Sequence, residues 1–503
     1  MKTPAVVPHD RIEGDPVRRA AERTGCVPPI NHREGAARPL RLFWSTMSTA
    51  QEPTSAVQDE LAELAGHGTP VHGTPEKYKV AIGSSVGATV ETYDFIGFGT
   101  AASLYLNEAF FPAVSPVIGL LASFATLGIG FAVRPIGGII AGHLGDRIGR
   151  KPILIASLLL MGGATVAIGC LPTYHSVGIL APILLLVVRI IQGLAFGGEW
   201  GGAILMTYEH APWCRKGLLT GITQAGFPFG LLLSTIAFQA STRLPGTWAW
   251  RVPFLLSAIL IVVGIVIRTH VSESPEFEEV KQEGHIEKNP IDASLRNDWR
   301  NFLKAMGLRI AETATYAVSI TYVLSYVKMH APQNAGRTLP ALLIAAAIGL
   351  FATVGWGALS DRVGRRGLYI MLSVIVIAWG FPLFRLVQVS SFAVLFGCMV
   401  VSYCVCQNGM AGIQGAWFSE LYPPERRSAG VSLAYQFSAV VSGFTPFFCT
   451  ALFEALDWRG PALLIVIYGV IGLVSALATR ETWGPQRREA VRRRAAAETA
   501  VAV

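Results

Sequence analysis

Gly142-His143-Leu144-Gly145-Asp146-Arg147-Ile148-Gly149-Arg150-Lys151 returns later in the chain as Gly357-Ala358-Leu359-Ser360-Asp361-Arg362-Val363-Gly364-Arg365-Arg366. Two further pairs recur in the same order and at nearly the same offset: Glu209 and Arg215 match Glu420 and Arg426, and Arg268 and Glu273 match Arg480 and Glu481. Three pairs in register imply duplication of everything between them, and parallel repeats about an axis along the membrane normal are one way transporters are built.

Around each copy the sequence is apolar in long runs. Hydrophobic residues make up 52% of the chain and charged residues 15%, with a mean hydropathy of +0.46, against about 45–50% and roughly 25% in soluble domains. A helix crossing roughly 30 Å of hydrocarbon needs about 20 apolar residues. Such stretches are read at 79–106, 115–142, 152–171, 177–208, 216–241, 248–268, 302–327, 338–359, 367–387, 391–418, 428–455 and 459–479. They are too long for barrel strands and lack period-two alternation. The expected fold is therefore an all-α membrane protein, with 12 transmembrane helices in two pseudo-symmetric six-helix bundles. The stretch holding Glu91 and Asp94 scores poorly on hydropathy alone.

Basic residues gather in alternate connections, at Arg147, Arg150 and Lys151, at Arg215 and Lys216, at Arg362, Arg365 and Arg366, and at Arg426 and Arg427. This bias predicts that those connections and both termini are cytoplasmic. Residues 1–76 are expected to be a disordered cytoplasmic tail, being rich in Pro, Gly and charge without an apolar stretch. Met47 opens a second start-like segment, so residues 1–46 read equally well as native tail or as untranslated upstream sequence. Bundles at 77–268 and 302–480 are expected to be joined by a cytoplasmic linker, 269–301, and followed by a basic cytoplasmic tail, 481–503. The arginines of that tail, within a net charge of +8, suit anionic membrane lipid better than nucleic acid.

The seven cysteines and ten histidines have no metal-ligand spacing, so no metal or other cofactor is expected. No Ser-His-Asp spacing or nucleotide loop points to an enzyme. The repeated loop makes physical sense as a latch. Its glycines allow tight turning, and its aspartate can sit at a neighbouring helix N-terminus. Its cations can then pair with carboxylates across the two halves in one access state. The residues concerned are Gly142, Asp146, Arg147, Gly149 and Arg150, then Asp361, Arg362, Gly364 and Arg365. A solvated loop would account for the cations but not for Gly, Asp and Gly at one spacing twice.

Gly-x-Leu-x-Asp-Arg-x-Gly-Arg-Lys resembles the loop signature of the major facilitator superfamily. More narrowly, the chain resembles the metabolite:proton symporters, which include carriers for shikimate, α-ketoglutarate, citrate and proline or betaine. That likeness is carried by Glu91-Thr92-Tyr93-Asp94-Phe95, Arg134-Pro135-Ile136-Gly137-Gly138, Arg189-Ile190-Ile191-Gln192-Gly193, Gly197-Gly198-Glu199-Trp200-Gly201-Gly202 and Glu273-Ser274-Pro275-Glu276-Phe277. It departs at Thr92, where Trp is usual, and at Gly412-Ile413-Gln414, where Gly-Pro-Gln is common. The resemblance implies alternating-access symport across the inner membrane.

Charge within a span costs roughly 2.5–3.5 kcal/mol on insertion scales, so Glu91, Asp94, Arg134, Arg189, Glu199, Arg309 and Glu312 need partners or a wet cavity. Asp94 and Glu91, three apart and thus on one helix face, are the leading candidates for proton coupling; a structural pairing with Arg134 is the alternative. Arg189, Glu199 and Glu312 complete the coupling set. Arg134, with its carboxylate-matching fork, joins Tyr93, Gln192, Trp200, Gln224, Tyr316 and Gln414 as candidate substrate contacts. The expected partners are protons and a small organic acid or zwitterion. A proton-driven exporter is disfavoured because Gly221–Gly230 lacks Gly-Pro pairs, and a membrane sensor because neither tail can hold a folded domain.

Overall fold

A computed structural model of the chain describes residues 74–148, 150–195, 199–270 and 298–484. The expected N-terminal and C-terminal tails and the linker fall almost wholly outside the described residues. Among the described residues there is no strand, and the helices form twelve rods. In the first half they are α1 (Thr74–Leu104), α2 (Pro116–Ala132 with Arg134–Ile148), α3 (Arg150–Cys170), α4 (Leu180–Ala195 with Glu199–His210), α5 (Lys216–Gln224 with Gly226–Ser241) and α6 (Trp248–His270). In the second half α7 runs through Trp299–Tyr316, a π-helical Ala317–Tyr322 and Val323–His330, followed by α8 (Pro332–Val363) and α9 (Arg366–Leu386). Helix α10 repeats the pattern of α7, with Phe392–Val400, a π-helical Val401–Gln407 and Asn408–Leu421. The last two rods are α11 (Pro424–Leu456) and α12 (Arg459–Ala478).

Each rod matches one of the twelve apolar stretches. Among the described residues, eight of them are long and apolar enough by composition to cross a membrane, and α1, α3, α4 and α7 do not reach that measure. Two of those four carry the inward-facing charges of Glu91, Asp94, Arg309 and Glu312, which lower hydropathy without being exposed. The apolar surface faces outward, as at Phe351, Ile179, Val262 and Ile259, while glutamates, arginines and glutamines lie buried within. That inversion of a soluble core is what a lipid solvent selects.

The packing shows the duplication. In the first half α1 packs on α5 and α3 on α6; in the second, α7 packs on α11 and α9 on α12. Two seams join the halves, α2 with α11 and α5 with α8. One operation exchanges them. Close approach in the α1–α5 pair depends on residues without a side chain. A Cβ at Gly230 would sit 2.6 Å from the Thr89 carbonyl oxygen and 2.7 Å from the Thr92 Cβ. Small residues allow this contact, on which helix association in lipid depends.

Gly230→Leu is therefore expected to leave little monodisperse protein, whereas Gly163→Leu, where a Cβ meets nothing within 4 Å, should fold like the parent. Fluorescence-detected size exclusion with thermal melts checks both; equal behaviour of the two variants would refute the packing argument.

Candidate substrate and coupling site

Between the halves lies a central cavity lined by Glu91 and Phe95 of α1, Arg134 of α2, Arg309, Glu312 and Tyr316 of α7, Tyr403 and Gln407 of α10, and Tyr435 of α11. A much smaller cavity, walled by first-half residues, shares Glu91, Phe95 and Arg134 with it and adds Asp94, Arg189 and Gln192. Inter-half hydrogen bonds lie on either side. Away from the loop motif, the Ser103 hydroxyl donates to the Thr321 carbonyl at 2.9 Å, and Lys328 bonds the Leu104 carbonyl and Glu108.

On the second-half wall, Arg309 is paired with Glu312 one turn on and donates to Gln414 Oε1 at 3.0 Å. Gln407 Nε2 donates to the other Glu312 oxygen at 2.6 Å. The Gln414 amide is spent on the Tyr369 hydroxyl, 2.8 Å away, and the Leu308 carbonyl. Both charges are buried, so this web offsets a desolvation cost that an unpaired ion could not bear. The Gln407 Oε1 and the Tyr316 hydroxyl are left without hydrogen-bond partners at this wall.

The first-half wall is organised differently. The Arg134 guanidinium lies 3.9 Å from the Phe95 ring centroid and 4.4 Å from that of Phe131, and its charge is opposed by that of Glu91. Arg189 stacks 3.9 Å from the Phe98 centroid and bonds Gln192, whose amide donates to the Thr165 hydroxyl at 2.6 Å. Asp94 faces Arg189. Neither of its oxygens has a hydrogen-bond partner of good geometry; the adjacent Thr165 hydroxyl donates instead to the Met161 carbonyl at 3.1 Å. Glu91 and Asp94 share a helix but serve different neighbours: Glu91 faces Arg134 and Tyr435, Asp94 faces Arg189 and Thr165.

At the loop motif the second copy forms a built latch. Asp361 accepts from the backbone amides of Gly217 and Leu218, both at 2.8 Å. Those amides open α5, so an anion of the second half caps a helix of the first. Arg365 braces that anion at 2.8 Å and reaches Glu420 at 3.3 Å. Its pairing stays inside its own half, where it neutralises the carboxylate that crosses; the side chains of Arg147, Arg150 and Lys151, for which pairing across the halves is expected, lie outside the described residues. Gly364 turns the chain at φ 117°, a conformation that favours glycine, and Glu481 accepts from the next two backbone amides at 3.0 Å.

The sequence matches the Major Facilitator Superfamily profile over residues 85–413 and 341–501. The Shikimate transporter of Escherichia coli (strain K12) is 36% identical over 416 residues, covering 80% of this chain and 94% of that one. The Proline/betaine transporter of Salmonella typhimurium (strain LT2) is 32% identical over 426 residues, covering 80% and 83%. The chain belongs to the major facilitator superfamily. Its fold is also that of the proton:xylose symporter XylE bound to 6-bromo-6-deoxy-D-glucose, with TM-score 0.60 and 18% identity, covering 80% of this chain and 94% of that one. The protein is thus a multi-pass secondary transporter rather than an enzyme.

Within this superfamily framework the predicted residues separate. Glu91, Arg134, Glu312 and Tyr316 line the central cavity; Asp94, Arg189 and Gln192 line the side cavity. Tyr93 points elsewhere, its hydroxyl donating to the Pro253 carbonyl of α6 at 2.6 Å. Gln224 donates to the Ala411 carbonyl across the α5–α10 contact, and Gln414 braces Arg309 from behind the cavity wall. Arg362 is exposed. The side chains of Glu199, Trp200, Asp146, Arg147 and Arg150, with Gly142 and Gly149, lie outside the described residues. Sequence reading missed Gln407, Tyr403 and Tyr435. The first was detectable as one of a Gln407-Asn408 amide pair inside an apolar run; the tyrosines had no distinguishing signal.

Asp361→Asn keeps the shape of the latch and removes its charge from two amides and a guanidinium. Charge-assisted hydrogen bonds contribute about 1.5–3 kcal/mol, so the melting temperature of the purified carrier should fall by several degrees. An unchanged melt would show that the latch holds nothing.

Proposed function

We propose that the protein is a proton-coupled symporter of the inner membrane, both termini cytoplasmic, which takes up a small organic acid or zwitterion by alternating access. The observation that carries this reading is Asp94, a buried carboxylate short of hydrogen bonds, facing Arg189 in a side cavity that shares Glu91, Phe95 and Arg134 with the central one. A carboxylate so placed can carry a proton between the two faces of the bundle, because protonation removes a buried charge. Arg189 balances the ionised form and is released from it by the proton.

An organic acid fits the central cavity better than a zwitterion. Arg134 offers a cation held between aromatic rings on one wall, and Gln407 Oε1 and the Tyr316 hydroxyl offer polar contacts on the other. A carboxylate bearing hydroxyl groups satisfies both walls, whereas the methyl groups of a betaine would leave the second wall unsatisfied. The similarity to a shikimate transporter supports this choice, and shikimate is the first probe to use.

In proteoliposomes an imposed inward proton gradient should drive accumulation of the organic acid, at least tenfold above the level reached without a gradient. Asp94→Asn should abolish accumulation and preserve part of the exchange of internal for external solute. Accumulation by Asp94→Asn equal to the parent would remove Asp94 from coupling, and uptake indifferent to the gradient would sink symport.

A further inference from the structure

The geometry points to Tyr435 as a positioning residue that ties the two halves together, through which the charge on Glu91 governs the change of access. Tyr435 stands on α11, 3% exposed. Its hydroxyl donates to Glu91 Oε1 on α1 at 3.1 Å, and the Arg309 guanidinium of α7 lies 4.4 Å from its ring centroid. It is therefore anchored to a cation of its own half while it grips a carboxylate of the other. This bond cannot survive a change in which α11 moves away from α1. It is part of what must be given up when the carrier changes access.

The strength of the grip depends on Glu91. A hydroxyl donated to a carboxylate makes a charge-assisted bond about twice as strong as one to a neutral acid. A proton on Glu91 therefore loosens the tie without any change in packing. The surroundings determine when that proton is welcome. Facing Glu91 are Arg134 from α2, Arg189 from α4, Arg309 and Glu312 from α7, Tyr435 from α11 and Asp94 one turn along α1. Toward the loop motif α4 also brings Glu209 and His210; the α5 segment Gly226–Ser241 carries no charged residue, and Arg251 of α6 bonds the distant Gly169 carbonyl.

In the central cavity Arg134 and Arg309 balance Glu91 and Glu312, so the empty site is neutral with both carboxylates ionised. An entering anion adds one negative charge, and one proton on Glu91 restores neutrality. A proton on Glu91 alone thus loosens the tie at the expense of a net positive charge in the site, the substrate anion alone leaves the tie held, and the two together release it at neutrality. Glu91 lines both cavities, so a proton resident on Asp94 has a second carboxylate to move to, at the point where it frees α11. This inference rests on the symport reading above, and its test needs no substrate.

Spin labels carried by non-natural amino acids at Val114 and Leu456, across one end of the α2–α11 seam, and in a second sample at Leu144 and Ser428, across the other end, report whether the halves are closed. In the substrate-free full-length carrier, the parent should show a closed population that falls reversibly on acidification. Tyr435→Phe should show the open distribution already at alkaline pH and lose the transition. Glu91→Gln, which keeps the tyrosine and removes the charge, should give the same distribution, and the double variant should match either single one.

A parent whose distances ignore pH, or a Tyr435→Phe variant with the parental transition, overturns the proposal, as does a double variant whose opening exceeds that of both singles. Failure of symport itself would be seen instead in gradient-driven uptake, which these distances do not measure.

Discussion

Every charge placed inside the hydrocarbon must find a partner there, and the arrangement of this bundle follows from that requirement. Arg309 with Glu312 and Arg134 opposite Glu91 line the space between the halves, and Arg189 opposite Asp94 lies beside it within the first half. None of them can face lipid, so the helices that carry them are fixed in rotation about their own axes. The remaining rods complete the apolar exterior. The site is then a consequence of where paired charge can be kept, and the cavity is the space those pairs leave.

Duplication supplies a scaffold in which the same operation produces both seams between halves. It also accounts for the latch. Asp361 at the start of α5 holds together two elements on opposite sides of the pseudo-axis, using backbone amides that any helix offers at its first turn. When the ends part, Asp361 keeps Arg365 and loses only the two amides, which suits a carrier that must close and open at that face.

Inside the scaffold the halves have diverged. The first half keeps a carboxylate facing an arginine at a small side cavity, an arrangement suited to a travelling proton. The second half keeps an ion pair braced by two glutamines, with π-helical segments in α7 and α10 beside it. A π turn leaves backbone groups out of helical register and is found often at functional sites. Here it brings Tyr403 and Gln407 to the cavity wall. In the proposed symport, the first half would handle the proton and the second would supply directional polar contacts.

The sequence by itself determined the helix count, the duplication, the loop latch and the identity of most buried charges, because those depend on hydropathy, spacing and motif along the chain. Glu91, Asp94, Arg134, Arg189 and Glu312 were legible for the same reason: an ionisable residue in an apolar run is conspicuous. Which of them meet was not legible. Glu91 and Asp94 share a helix face, yet one turn gives them different partners, Arg134 and Tyr435 for the first and Arg189 for the second. Tyr93 and Gln224 looked available to substrate, yet each is spent on a backbone carbonyl. Tyr435, which nothing in the sequence singles out, bridges α1 and α7 although 344 residues separate it from Glu91. Spacing along a helix fixes which face a side chain occupies; what that face meets depends on how twelve rods are rotated and docked, and only the tertiary structure decided that.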